Sequence, residues 1–131
     1  MIRIINNNLV VPTDNPGQIH ALFPYRVKEA TIQGQTFCAV PHTLEAARML
    51  NNIGIPAQSP IRTQYDWPGR YRPRWYQIDS AEFFTLHLRC YCHNAPRTGK
   101  TLSALWPADY LRRAGHIRRT MIVAPLSTIY D

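Results

Sequence analysis

Apolar and polar positions alternate differently in the two halves of this chain. "RIINNNLVV" (3–11) sets two short apolar runs on either side of three asparagines, the outline of a strand or hairpin arm. "RVKEATIQGQTFCAV" (26–40) alternates on both sides of Gln33-Gly34 and predicts a β-hairpin whose glycine supplies a positive φ. "PHTLEAARMLNNIGI" (41–55) changes to a helical period. Thr43 stands at its cap, Leu44, Ala47, Leu50 and Ile53 form its apolar stripe, Gly54 stops it and Pro56 prevents a restart. Residues 1–64 therefore read as a small α+β leader.

The stretch "PAQSPIRTQYDWPGRYRPRW" (56–75) excludes long regular structure through Pro56, Pro60, Pro68, Gly69 and Pro73. Its aromatic residues Tyr65, Trp67, Tyr71 and Trp75 predict a linker that packs against the rest. "WYQIDSAEFFTLHL" (75–88) then reads as a helix, with Ile78, Ala81, Phe83 or Phe84, and Leu88 sharing a face. "RCYCHNA" (89–95) reads as a short strand. A helix from Gly99 to Arg113 follows, with Leu102, Leu105, Trp106 and Tyr110 at helical spacing and Gly115 beyond its end. "TMIVAP" (120–125) reads as a second short strand. Helix, strand, loop, helix and strand in this order predict an α/β arrangement with a parallel sheet in residues 65–131.

At 131 residues the chain has room for one compact domain and a modest core. With 45% apolar and 18% charged residues it has the make-up of a globular protein. No apolar run approaches the length of a membrane span, and no signal-peptide pattern opens the sequence, so the expected location is cytoplasmic. The formal charge of +7 is uneven. Five basic residues face four acids up to Gly69, a net of +1, whereas ten face four from Arg70 onward, a net of +6. A polyanion, nucleotide or nucleic acid, is a natural partner for the second half.

Cysteines 38, 90 and 92 are too few and too close for a disulfide framework. "CYCH" (90–93) lacks the two-residue gap and the second ligand pair of a zinc site, and it reads as part of a strand. His87, His93 and His116 stand alone and read as surface or structural residues; His42 reads as structural and Asp66 and Asp79 as cap or surface acids.

The chemistry concentrates in the window Asn94 to Thr101, "NAPRTGKT". A phosphate loop reads G-x-x-x-x-G-K-[ST] between a strand and a helix, and here Asn94 stands in place of the first glycine. Gly99 lets backbone N–H groups close around phosphate oxygens at a helix N-terminus. Lys100 has the charge to bridge the β- and γ-phosphates, and the Thr101 hydroxyl is placed to hold Mg²⁺. Pro96 contributes no N–H, while Arg97 replaces a turn-easing glycine and adds a charge for phosphate.

Together with its flanks, this window resembles the start of the motor domain of superfamily 2 DNA helicases of the Swi/Snf type, particularly bacteriophage versions. "RPRWYQIDSAEFF" (72–84) is similar to that family's glutamine motif, and Ala124-Pro125-Leu126-Ser127-Thr128 is similar to the motif called Ia. The resemblance implies an incomplete RecA-like lobe over residues 65–131, the N-terminal part of a helicase ending after motif Ia. It implies ATP and Mg²⁺ as cofactors, with Gln77 on the adenine, Arg97, Gly99 and Lys100 on the phosphates, and Thr101 on the metal. It also implies DNA contacts through Ser127 and Thr128, joined by Arg118 and Arg119, and a host-cytoplasmic location if the chain is phage-encoded.

The family's acidic D-E-x-x motif does not occur in these residues. Phosphoryl transfer depends on positioning and charge stabilisation, so ATP turnover by this chain alone is not expected. Pro107, inside the second helix, is expected to kink it at a cost of ~3 kcal/mol. Strands 89–95 and 120–125 would have unpaired edges, which predicts self-association or a protein partner to cover them. Two functions remain in view: an ATP-binding, DNA-contacting helicase segment, and a helicase-derived interaction protein that binds and inhibits a host nucleic-acid or defence enzyme.

Overall fold

A computed structural model describes residues 1–125. The chain is a mixed α+β protein with a four-stranded antiparallel sheet and five helices. In chain order these are β1 (Arg3–Ile5), β2 (Asn8–Pro12), α1 (Pro16–Leu22), β3 (Lys28–Ile32), β4 (Gln35–Pro41), α2 (Leu44–Asn52), α3 (Ile61–Gln64), α4 (Trp75–Leu86) and α5 (Lys100–Arg113). The sheet order is β1-β2-β4-β3, with Val11 opposite Cys38 and Thr31 opposite Thr36. No helix among the described residues is long and apolar enough to cross a membrane.

The hairpin expected over 26–40 forms, and the stretch read as a strand or hairpin arm at 3–11 forms a second; each is closed by two residues of positive φ. Asn6 (48°) and Asn7 (59°) join β1 to β2, while Gln33 (52°) and Gly34 (80°) join β3 to β4. This geometry matches the right-handed twist of paired strands, and asparagine and glycine tolerate it best. Helix α2 begins where Thr43 Oγ1 accepts from the Ala46 N–H at 3.2 Å. Helix α1 was not expected; Asn15 caps it, accepting from Gln18 N–H, and Pro16 occupies its first position.

Two cores result. Leu9 and Val11 on β2, and Cys38 and Val40 on β4, point to one face, where Ile19, Ala47 and Leu50 cover them. One corner of that face is polar: His20 Nε2 lies 3.0 Å from Glu29 Oε2, beside the buried Cys38. The other core joins Leu44 of α2 to Ile61, Tyr65, Ala81, Trp106 and Tyr110. The proline-rich linker packs through two of its four aromatics, Tyr71 and Trp75 being exposed: Tyr65 meets Trp67 and Tyr110 edge-on at 5.2 and 5.8 Å between ring centroids. Trp67 meets Trp106 in the same way at 5.5 Å.

The second half departs from the expected α/β arrangement. Residues 89–95 and 120–125 hold no strand, so no parallel sheet forms among the described residues. A strand exists only through its ladder, and the sheet of this chain is already complete as an antiparallel unit in the leader. The exposed faces differ too. Of the four residues at helical spacing, Trp106 and Tyr110 are buried while Leu102 and Leu105 are 36% and 39% exposed, and α5 also buries Ser103 and Pro107. With no sheet beneath it, α5 turns its aromatic and small residues toward α4 and the linker. Helix α5 continues past Pro107 to Arg113.

Candidate nucleotide site

The site is built where the start of α4 meets the start of α5. Gln77 occupies the first turn of α4, and its Oε1 accepts from the Arg74 N–H at 2.9 Å, closing the helix end. The other end of the same amide leaves α4: Nε2 donates to the Thr98 carbonyl at 3.1 Å. The side chain is buried. The two segments that the sequence singles out, the glutamine and the glycine loop, are therefore held together by one amide.

The loop is shaped by its own backbone and by side-chain bonds to backbone. Arg97 (φ 62°) and Gly99 (φ 74°) take left-handed conformations, and Gly99 becomes the cap residue of α5. A methyl group on Gly99 would displace the Gln77 amide from its place, and the left-handed φ itself favours glycine. Thr98 Oγ1 donates to the Ala95 carbonyl at 2.8 Å, and Asn94 Nδ2 reaches Ser80 Oγ of α4 at 2.9 Å. These bonds take the place of the strand expected before the loop.

Lys100 turns back over the loop, its Nζ donating to the carbonyls of Asn94 (2.8 Å) and Ala95 (3.0 Å). Thr101 lies exposed in the first turn of α5, and no side chain caps that N-terminus. Its first N–H groups are thus available to an anion, and the helix dipole favours one there. Arg97 is exposed beside them. Gln77, Arg97 and Gly99 line one cavity, whereas Lys100 and Thr101 stand beside it at the head of α5 without lining it. Arg118 and Arg119 stand exposed in the irregular stretch after α5, and Ser127 and Thr128 lie outside the described residues.

Sequence reasoning missed the other wall of the site. A cavity of about 270 Å³ opens between α4 and the loop, lined by Tyr71, Arg72, Arg74, Gln77, Arg97 and Gly99 among others. Three arginines and the exposed Tyr71 thus line one concave surface. The alternating basic and aromatic run "RYRPRW" (70–75) was the signal available for it.

Two networks hold this site on the leader. Arg62 of α3 pairs with both Asp79 and Glu82 of α4, and Arg48 of α2 donates twice to the Thr85 carbonyl, at 2.8 and 2.6 Å. Burial alone would lower the Arg62 pKa, but its hydrogen bonds to Asp79 and Glu82 raise it overall. At the far side, Tyr65 Oη donates to Asp109 Oδ2 at 2.9 Å. Burial and then that bond push the Tyr65 phenol well above its ordinary range. For Asp109 burial acts upward, yet the hydrogen bonds from Tyr65, Arg112 and Arg113 hold its carboxyl below the usual value.

His42 is buried, with Nε2 at 2.9 Å from the Gln58 carbonyl, in keeping with a structural role; His87, His93 and His116 are exposed. Asp79 is surface-placed, as expected, and engaged with Arg62. Comparison of the chain with protein-family models, with characterised proteins and with solved structures gives no match.

Proposed function

We propose that residues 65–131 derive from a RecA-like lobe and that the chain is an ATP-binding, DNA-contacting segment of the phage helicase kind, without ATP hydrolysis of its own. The observation that carries this reading is the Gln77–Thr98 bond, which joins the glutamine motif to the glycine turn at the head of α5. An amide has two N–H groups and an oxygen with two lone pairs. Gln77 engages one N–H and one lone pair within the protein, which leaves one of each for the N6–H and N7 of an adenine. A phosphate entering above Gly99 meets the open N-terminus of α5 and the Arg97 charge, and it exchanges the Lys100 ammonium away from two carbonyls. Thr101 supplies the hydroxyl for Mg²⁺ on the phosphates. The basic stretch through Arg118 and Arg119 supplies salt-dependent contacts to DNA phosphates.

Turnover needs an acid to position metal and water, and the 131 residues contain no D-E-x-x sequence. Titration of ATP–Mg²⁺ into the wild type and into Lys100→Ala tests the reading. Saturable binding by the wild type, weakened in the variant, is expected; identical null curves would eliminate it.

A second reading, an interaction protein that blocks a host nucleic-acid or defence enzyme, is favoured by a separate observation. Leu88, Tyr91, Met121, Ile122 and Val123 are 68–87% exposed in two segments that are outside the sheet among the described residues. Such segments can add to a partner's sheet edge. A pull-down from host lysate that returns nothing above background counts against it.

A further inference from the structure

Away from the nucleotide site, the polar corner of the leader's sheet brings three ligand-type side chains together. Glu29 of β3 and Cys38 of β4 stand directly opposite each other in the antiparallel ladder, so both side chains leave the same face. Helix α1 crosses that face and delivers His20. One donor atom from each, the imidazole nitrogen, the carboxylate oxygen and the sulfur, lies within 4.8 Å of the other two. Cys38 is fully buried and fixed by the core, whereas the side chains of His20 and Glu29 are 44% and 41% exposed and have room to adjust.

We propose that His20, Glu29 and Cys38 form a three-ligand site for Zn²⁺, with the fourth position open to water. Ligand chemistry selects the ion. A thiolate, an imidazole and one carboxylate suit a borderline-soft metal, whereas Mg²⁺ and Ca²⁺ require oxygen ligands. Size agrees as well. Zinc bonds of 2.0–2.3 Å set tetrahedral ligands roughly 3.3–3.6 Å apart. His20 Nε2 and Glu29 Oε2 are already 3.0 Å apart, so closure on the sulfur needs an adjustment of about an ångström in two partly exposed side chains. Binding replaces the thiol proton, which passes to solvent, with the metal bond. The site ties α1 to the outer hairpin, where the edge strand β3 otherwise buries none of its residues.

Cobalt(II) replaces zinc with the same geometry and reports on thiolate ligation by absorption. Because Cys90 and Cys92 offer other sulfur, the experiment uses the full chain with Cys90→Ser and Cys92→Ser. One equivalent of Co²⁺ is expected to produce a sulfur-to-cobalt charge-transfer band and the strong visible bands of tetrahedral cobalt, both abolished by Zn²⁺. Cys38→Ala is expected to remove the charge-transfer band. His20→Ala, a change at a partly exposed position that the fold tolerates, is expected to weaken binding tenfold or more, which covers the case in which the core variant does not fold. Absence of the band in the Cys90/Cys92 variant, its survival in Cys38→Ala, or unchanged affinity in His20→Ala overturns the proposal. None of these outcomes bears on nucleotide binding.

Discussion

The leader and the loop-bearing half reach order by opposite means. In the leader, backbone ladders set the structure: β2 and β4 pair over five positions, from Asn8–Pro41 to Pro12–Phe37, and two tight turns fix the register. In residues 65–125 no ladder exists, and beside the core of Tyr65, Ala81, Trp106 and Tyr110 the loop is placed by side chains bonded to backbone: Gln77 on Thr98, Lys100 on Asn94, Trp106 on Pro68. A ladder survives the loss of any one side chain because its bonds belong to the main chain. A structure held by individual amides, ammoniums and indoles has single points of failure. The candidate site lies in the region built that way, which leaves its loop free to rearrange around a ligand.

Mutations can break this contrast. Leu50 is fully buried between α2 and the sheet, and Leu50→Ala is expected to cost about 2–5 kcal/mol, read by urea denaturation followed by far-ultraviolet circular dichroism. A loss below about 1 kcal/mol would show that the ladders hold the leader without that core. Gly99→Ala is expected to cost about 2 kcal/mol, from left-handed strain and from collision with the Gln77 amide. The same change in a Gln77→Ala background removes the collision and leaves only the backbone part, about 1 kcal/mol, so the two variants are less than additive. Full additivity would sever the link between Gln77 and the glycine turn.

Smaller effects sharpen the comparison. Tyr65→Phe leaves Asp109 with its two arginines and is expected to cost about 1 kcal/mol at neutral pH. The pair also sets two pH limits. The Tyr65 phenol is raised in the folded chain, so its contribution is present below the ordinary value of about 10 and is lost as pH climbs beyond it. The Asp109 carboxyl is depressed, so its contribution is present above about pH 4 and disappears as pH falls further. Thermal melts across pH should show both limbs in the wild type; Tyr65→Phe should reduce both, the alkaline limb keeping the share of Tyr110, whose phenol burial also raises. Lys100→Ala should change stability least, within about 0.5 kcal/mol, because water replaces the carbonyl contacts of a half-buried ammonium. A larger loss in a denaturant titration would make Lys100 structural.

The leader was legible because its signals are local. Asn6-Asn7, Gln33-Gly34, Thr43 and Gly54 each act within a few residues, and the structure places turn, turn, cap and stop there. Helix α1 was missed because its cue is one asparagine before a proline, with a single buried residue, Ile19. In the second half the helices were legible from period and the strands were not. Apolar runs such as "TMIVAP" state only a preference for extension; whether they pair depends on a neighbour that the sequence does not name. The buried line of α4, Gln77, Ala81 and Thr85, was hidden because two of its members are polar, and their bonds to Thr98 and Ser59 reach far along the chain. The loop residues of the candidate site were legible from the G-K-T pattern, whereas Arg72, Arg74 and Tyr71 joined them only through folding.

The bond from Gln64 to the Asn7 turn, 2.7 Å long and spanning 57 positions, has a consequence in time. During synthesis the two hairpins can close within microseconds of emerging, since each needs only its own neighbours. The clasp between Asn7 and α3 waits until Gln64 has left the ribosome. Closing so long a loop is a modest entropic step, growing by only about 0.6 kcal/mol per doubling of length. Translation at roughly 5–20 residues per second is far slower than that search. The leader is therefore fastened end to end as its last residues emerge, before the glycine loop has left the ribosome.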